Sequence, residues 1–160
     1  MRIPTDFYGN RTTGDTSSWS TVVNTSSQYQ GNETDFSVSS NYMDRVQTLV
    51  DWSLNQGLYT IIDIHGAELK SEFLETFNPE NVNYSAPSSA KRAADLMKFK
   101  SIWIQIANRF VSHPSNLLFE VVNEPYFEVS ASEMDAINLM IIEAIRATGG
   151  NNSTRPIIIT

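Results

Sequence analysis

The residues of this chain best suited to chemistry follow a short apolar segment. Residues 117–125 read LLFEVVNEP, in which leucine, phenylalanine and valine predict a buried strand, and Asn123, Glu124 and Pro125 end it. Proline has no backbone N–H, so the strand cannot continue through it. A carboxylate with an amide beside it is therefore predicted at the carboxyl end of a strand. Barrels and open sheets of the α/β class place their catalytic groups at that position.

Four other ionisable residues are predicted to lie on the same side of the sheet as Glu124. Residues two apart in a strand share a face, which groups Glu120 with Glu124 here and Asp63 with His65 in an earlier strand. Arg2 lies in the first strand-like segment. A polar cluster on a sheet face is costly unless its members pair with each other. A satisfied buried ion network explains any one of these residues, whereas for the whole cluster near the strand ends we favour a catalytic site.

Strand and helix patterns alternate along the chain and would position these residues. Near-continuous apolar runs predict buried strands, here at 1–4, 59–64, 117–122 and 155–159. Apolar residues at helical spacing predict helices, here at about 42–56, 90–111 and 130–147. Ser130 and Glu133 form a capping box, and glycines follow the first and third helices. Repeated strand–helix units indicate an α/β fold with a parallel sheet and right-handed crossovers.

Two polar stretches, 5–41 and 66–89, are predicted to be loops. The first is long for a plain connection and contains five aromatic residues, which are Phe7, Tyr8, Trp19, Tyr29 and Phe36. We favour a loop that is packed down by its own aromatic rings. The alternative is that one or two of these rings line a ligand groove.

Composition argues against several classes of function. A net charge of −7 without a basic run argues against nucleic acid as a partner. The absence of cysteine excludes disulfides, thiolate metal sites and cysteine nucleophiles. We expect no cofactor and no metal, because neither a glycine-rich phosphate-binding motif nor an HExxH motif is present. No segment is apolar enough to span a membrane, and residues 1–4 do not look like a signal peptide.

The sequence resembles glycoside hydrolase family 5, the cellulase-type (β/α)8 barrels, over nearly its whole length. The similar segments include DWSLNQGLYTIIDIHG, HPSNLLFEVVNEP and IRATGGNNSTRPIIIT. The resemblance implies a secreted, endo-β-1,4-glucanase-like enzyme that hydrolyses β-glucan or a related polysaccharide. By position it implies that Glu124 is the general acid/base and that Asn123 binds the sugar 2-hydroxyl. It further implies that His65 is an active-site histidine and that Arg2 supports the nucleophile, while Asp63 and Glu120 are expected to support this site. Many relatives have a second histidine where this chain has Gly66.

By register, the resemblance covers only barrel strands two to five. The nucleophilic glutamate of the family lies on strand seven, so no residue here is assigned to that role. We expect residues 1–160 to form one incomplete domain, a half TIM barrel of about four parallel strands and three helices. Such a half-barrel has unpaired edge strands, and a homodimer that closes the barrel would cover them. Two alternatives stay open, namely a non-catalytic carbohydrate-binding or scaffold half-barrel that self-associates, and a fragment that folds without a function of its own.

Overall fold

Strands and helices alternate in the computed structural model, which describes residues 1–5, 21–23, 36–65, 86, 89–125 and 129–160. The strands are β1 (Arg2–Thr5), β2 (Thr21–Val23), β3 (Phe36–Val38), β4 (Thr60–Ile64), β5 (Leu117–Glu120) and β6 (Ile157–Ile158). The helices are α1 (Ser40–Asn55), α2 (Ala90–Arg109) and α3 (Ala131–Ala147), followed by a 3-10 turn at Gly150–Ser153. All three predicted helices are confirmed, with ends within two residues of the predicted ones.

Four of the strands form one parallel sheet in the order β1-β4-β5-β6. Its register places Pro4 beside Asp63, Asp63 beside Glu120, and Glu120 beside Ile158. Each neighbouring pair is parallel, and a helix lies between successive strands of the sheet in the sequence. The predicted α/β fold of four parallel strands and three helices is therefore confirmed, as part of a TIM barrel.

The prediction of a plain loop over 5–41 is wrong for two short segments. Strands β2 and β3 pair antiparallel as a separate two-stranded sheet. The backbone N–H of Val38 donates to Gln105 Oε1 at 2.8 Å, which connects β3 to α2. Strands of three residues are too short for an alternating pattern to be recognised. Phe7, Tyr8, Trp19 and Tyr29 lie outside the described residues, so both interpretations of those aromatic rings stay predictions.

The hydrophobic core lies between one face of the parallel sheet and the helices. Residues from all three helices and from the sheet are buried in a single cluster, which includes Ile3, Ile62, Phe119, Val50, Trp103 and Ile141. The Trp103 indole Nε1–H donates to Val121 O at 3.2 Å, and its ring packs 5.5 Å from the ring of Phe119. The β1 and β5 residues of the opposite face are more exposed, in the alternation expected for strands covered on one side. The ionisable residues of the predicted cluster lie on that opposite face.

Two contacts fix the helices that follow β4 and β5. Ser130 caps α3, because its Oγ accepts from the backbone N–H of Glu133 at 3.2 Å, as the capping box predicted. The Glu133 carboxylate forms an ion pair with Arg92 of α2, whose side chain is almost fully buried. The pair joins the first turns of α2 and α3 behind the carboxyl end of the sheet.

A buried arginine holds the opposite end of the sheet. Arg155 is separated from β6 by Pro156 alone and donates to four backbone carbonyls at 2.7–3.0 Å, those of Phe110, His113, Pro114 and Leu117. It also donates to Asn152 Oδ1 at 2.7 Å, and its guanidinium lies 4.9 Å from the centre of the Phe119 ring. Burial, with a contribution from the charge of Arg146, lowers the pKa of Arg155 to about 10, so the side chain is cationic at neutral pH. Arg155 thus fixes the turn from α2 into β5, the strand that precedes Glu124.

Candidate active site

The guanidinium of Arg2 contacts three of the predicted site residues at once. Its Nε lies 3.0 Å from Glu120 Oε2 and 3.1 Å from Asp63 Oδ2. Its Nη2 lies 2.6 Å from Glu120 Oε1 and 2.6 Å from Asn123 Oδ1. The contact with Glu120 is bidentate, the geometry that makes arginine–carboxylate pairs strong and directional. Arg2 therefore joins β1, β4 and the end of β5 through side chains alone.

Asp63 is the most deeply buried member of this cluster. Its side chain is fully buried, although it lies on the face of the sheet away from the core helices. Its Oδ2 forms an ion pair with Arg2 and lies 2.9 Å from Nδ1 of His65, at hydrogen-bond distance. Its Oδ1 is buried and has no hydrogen-bond partner among the described residues. One oxygen of this carboxylate thus pairs with two residues, while the other accepts no hydrogen bond from the part of the chain that the structure describes.

His65 directly follows β4 at the carboxyl end of the sheet. Its backbone N–H donates to Thr5 O at 3.0 Å, which continues the ladder between β1 and β4 by one residue. Its side chain is 47% exposed, against 0% for its partner Asp63. The imidazole therefore extends from a buried carboxylate to the surface of the sheet's polar face.

Asn123 and Glu124 form the turn in which β5 ends. The backbone N–H of Asn123 donates to Ile64 O at 2.9 Å, which places Asn123 beside the end of β4 and hence beside His65. Asn123 is buried and Glu124 is exposed. Glu124 has a φ of 38°, in the left-handed region that residues with a side chain rarely adopt. Among the described residues it is the one non-glycine with a positive φ, and backbone strain of this kind concentrates at functional sites.

This turn changes which side chain reaches the polar cluster. Alternation predicted Glu124 on the face of Glu120, but regular strand structure ends at Glu120 itself. The backbone then turns, so that the side chain of Asn123 accepts from Arg2, while Val122 is almost fully buried. The structure brings Arg2, Asp63, His65, Glu120 and Asn123 together and places Glu124 next to them in the chain, at the exposed edge.

Two threonines that the sequence analysis did not single out also support the strand ends. Thr5 Oγ1 donates to Asp63 O at 2.7 Å, and Thr160 Oγ1 donates to Val122 O at 2.7 Å. The carbonyl oxygen of Thr160 accepts from the side chain of the buried Asn138 at 2.9 Å. The only signal in the sequence is that both threonines end apolar strands. Their partners become evident only from the register of the sheet.

The described part of the chain offers neither a metal site nor a membrane span. Within it, no group of three or more histidine and acidic side chains is placed to hold a metal ion. None of its helices is both long enough and apolar enough to cross a membrane.

Comparison with known proteins identifies similar sequences and similar folds. Residues 16–160 match the sequence model of the cellulase family, glycosyl hydrolase family 5. Endoglucanase B of Paenibacillus lautus is 29% identical over 150 residues, covering 89% of this chain and 23% of that protein. Endoglucanase H of Acetivibrio thermocellus is 34% identical over 124 residues, covering 78% of this chain and 11% of that protein.

Solved structures give the same result. A tri-modular endo-β-1,4-glucanase of Bacillus licheniformis, from subfamily 4 of the same family, superposes with a TM-score of 0.69 and 27% identity. The superposition covers 99% of this chain and 25% of that one. The chain therefore spans about a quarter or less of the length of these three proteins.

Proposed function

Because the chain belongs to glycosyl hydrolase family 5, the cellulase family, we propose that it forms one side of the active site of an endo-β-1,4-glucanase. In this proposal Glu124 is the general acid/base, and the substrate is a β-glucan or a related polysaccharide. The observation that carries the proposal is the contact of Arg2 with both Glu120 and Asn123, which fixes the turn in which β5 ends and Glu124 is exposed. A carboxylate at the carboxyl end of a barrel strand is suitably placed to act on a substrate that lies across the barrel mouth.

Glu124 would exchange a proton with the glycosidic oxygen. As general acid it donates a proton to the leaving oxygen when the bond to the anomeric carbon breaks, and as general base it later removes a proton from the attacking water. This requires an exposed carboxyl group held in one orientation. The exposure of Glu124 and its fixed, left-handed backbone conformation both support that role.

Asn123 would recognise a sugar hydroxyl beside the reacting bond. Its Oδ1 accepts from Arg2 at 2.6 Å, which orients the amide and leaves the Nδ2 hydrogens as donors. A donor beside the acid/base can bind the oxygen of the sugar 2-hydroxyl, and hydrogen bonds to that hydroxyl strengthen in the transition state of glycoside hydrolysis. The half-exposed ring of His65 offers a second polar contact for the sugar.

Glycosidases of this kind need a second carboxylate besides the general acid/base. Retaining enzymes hold it about 5 Å from the acid/base, and inverting enzymes hold it about 6.5–9.5 Å away. Glu120 is bound bidentately by Arg2 and stays a supporting residue in this proposal. We assign the nucleophile to a segment outside the four parallel strands, since in this family it lies on a later barrel strand.

Polymeric β-glucan cannot cross a membrane, so we also propose that the protein acts outside the cell.

Release of reducing sugar from soluble β-glucan tests the proposal. Glu124→Gln keeps the size of the side chain and removes the exchangeable proton, so we expect activity to fall by about 100-fold or more. Glu143→Gln is the matched control, because Glu143 is an exposed carboxylate on α3, away from the polar face. Activity that survives Glu124→Gln, or that is lost equally in the control, would contradict the assignment of Glu124.

A second candidate function is a carbohydrate-binding or scaffold half-barrel without turnover that associates with a copy of itself. It is favoured by the edges of the parallel sheet, where β1 and β6 each have one neighbouring strand within the described part of the chain and Ile159 is 54% exposed. Pairing β6 of each copy with β1 of the other would close an eight-stranded barrel by a twofold operation. Light scattering with size-exclusion chromatography tests this, and a monomer at micromolar concentration contradicts it. Binding of cellotetraose without hydrolysis would favour this candidate over the glucanase.

A further inference from the structure

We infer that Asp63 is a positioning residue, whose carboxylate sets the hydrogen-bonding state of His65 for the incoming sugar. In this arrangement Asp63 holds the proton of His65 on Nδ1, so that the neutral ring presents Nε2 as an acceptor to a sugar hydroxyl. The inference deepens the proposed function and rests on it for the identity of the ligand. The placement of the proton itself rests on geometry alone.

The first step is the contact between Asp63 and His65. Asp63 Oδ2 lies 2.9 Å from Nδ1 of the imidazole. An ionised carboxylate can only accept, so Nδ1 must carry the hydrogen, and in a neutral ring Nε2 then carries none. Since the ring is 47% exposed while Asp63 is fully buried, the carboxylate orients a side chain that a ligand can reach. Fixing one ring nitrogen in this way determines what the other can bind.

The second step is that folding does not require a charge on Asp63. Arg2 is already neutralised by its bidentate contact with Glu120, at 2.6 and 3.0 Å. Asp63 therefore adds a second negative charge beside a cation that has a partner. Its Oδ1 is moreover buried, and no described residue donates a hydrogen bond to it. Buried charges and unsatisfied buried oxygens both oppose folding, so a carboxylate kept under these conditions indicates a role in the site.

The chain contains its own control for this inference. It has two histidines, and the other one, His113, contacts a carboxylate through the opposite ring nitrogen. His113 Nε2 lies 2.9 Å from Asp51 Oδ1, at the end of the sheet remote from Glu124. The two rings should therefore be opposite tautomers in the same protein.

Long-range nitrogen–proton NMR on protein labelled at histidine measures both tautomers. At about pH 8.5, where an imidazole of ordinary basicity is neutral, we expect one ring protonated at Nδ1 and the other at Nε2. Asp63→Ala should shift His65 towards the Nε2-protonated form and leave His113 unchanged. Asp51→Ala should change His113 and leave His65 unchanged. The inference would be overturned if His65 of the parent protein is protonated at Nε2. It would also be overturned if Asp63→Ala leaves the tautomer of His65 unchanged.

Asp63→Asn separates positioning from stability, and it covers the case in which the alanine variant does not fold. Asparagine keeps the volume and one acceptor oxygen but removes the charge, so we expect a Tm equal to or above that of the parent. We expect hydrolysis of β-glucan to fall by about tenfold or more, because a neutral amide fixes the imidazole less firmly. A lower Tm with unchanged hydrolysis would show a structural residue and overturn the inference. If the parent protein shows the expected tautomers but does not hydrolyse β-glucan, that result would count against the proposed function and not against the placement of the proton by Asp63.

Discussion

Nη2 of Arg2 donates to Oδ1 of Asn123 at 2.6 Å, which connects the first strand of the parallel sheet to the turn after β5. The same nitrogen lies 2.6 Å from Glu120 Oε1, so one guanidinium fixes both the end of β5 and the turn that follows it. Glu124 is the next residue after Asn123. The orientation of the proposed acid/base therefore depends on a side chain that lies two strands away in the sheet.

Arg2→Lys should reduce hydrolysis of soluble β-glucan by about 10–100-fold, because a lysine ammonium cannot reproduce the planar fork that binds Glu120 and Asn123 together. The free energy of unfolding should fall by only about 1 kcal/mol, since the pair is partly exposed. Initial rates and urea unfolding measure the two effects.

Arg109→Lys is the matched control for this substitution. Arg109 pairs with Asp44 on the surface of α1 and α2, and its side chain is 40% exposed, as is that of Arg2. Arg109→Lys should leave the hydrolysis rate unchanged. It should lower the free energy of unfolding by no more than a surface ion pair contributes. Equal losses of activity in both variants would show that Arg2 acts through general stability.

Glu124→Gly should raise the free energy of unfolding by about 1 kcal/mol while it abolishes hydrolysis. Glycine adopts the φ of 38° without the steric cost that a side chain meets there, so the substitution relieves strain. Glu124→Gln keeps that strain and is the reference for the glycine variant. Thermal unfolding of the two variants measures the difference. A glycine variant that is less stable than the glutamine variant would show that the turn is not strained.

The elements of the sheet and helices could be predicted from the sequence because each depends on local residues. Apolar runs predicted β4 and β5, and the capping box at Ser130 and Glu133 predicted the start of α3. Strands β2 and β3 were not predicted, because three residues are too few to show alternation.

The site was predictable only as far as the alternation of strand residues holds. That rule correctly places Arg2, Asp63 and Glu120 on one face, where they are in contact. It fails after Glu120, because regular strand structure ends there and the turn that follows, with its positive φ at Glu124, cannot be recognised from residue types. The contact of Asn123 with Arg2 depends on that turn. The hydrogen bonds of Thr5 and Thr160 depend on the register between strands, which no single strand specifies.

Gly150→Ala should lower the free energy of unfolding by about 2–3 kcal/mol, against about 1 kcal/mol for Gly57→Ala. Both glycines have positive φ, 53° and 76°, so both substitutions carry the same backbone cost. A Cβ at Gly150 would lie 2.7 Å from Val111 Cγ2 and 3.1 Å from Val111 O, whereas a Cβ at Gly57 would have no atom of the described residues within 4 Å. Urea unfolding of both variants measures the difference between the two stability losses, and that difference is the cost of the clash with Val111. Equal losses would show that Val111 moves away without cost.

Arg155→Met should lower the free energy of unfolding by at least about 3 kcal/mol, because it leaves several buried carbonyls without a donor. The pH dependence of this loss has a defined sign. The pKa of Arg155 is lowered on folding to about 10, so as pH rises above that value the unfolded chain binds more protons than the folded one. The parent should therefore gain stability relative to the variant as pH rises above about 10, and the difference should be constant between about pH 7 and pH 9.

Paired urea titrations of the parent and Arg155→Met across this range measure that difference, and groups that titrate equally in both proteins cancel. Arg155→Lys is the intermediate variant, because an ammonium has three donor hydrogens for the five acceptors that Arg155 contacts. Its stability should lie between those of the parent and the methionine variant. If the stability difference between the parent and Arg155→Met shrinks as the solution becomes alkaline, the five acceptors stabilise the charged form by more than burial destabilises it. In that case the pKa of Arg155 would be raised on folding, and the buried guanidinium would stabilise the turn into β5 as an ion.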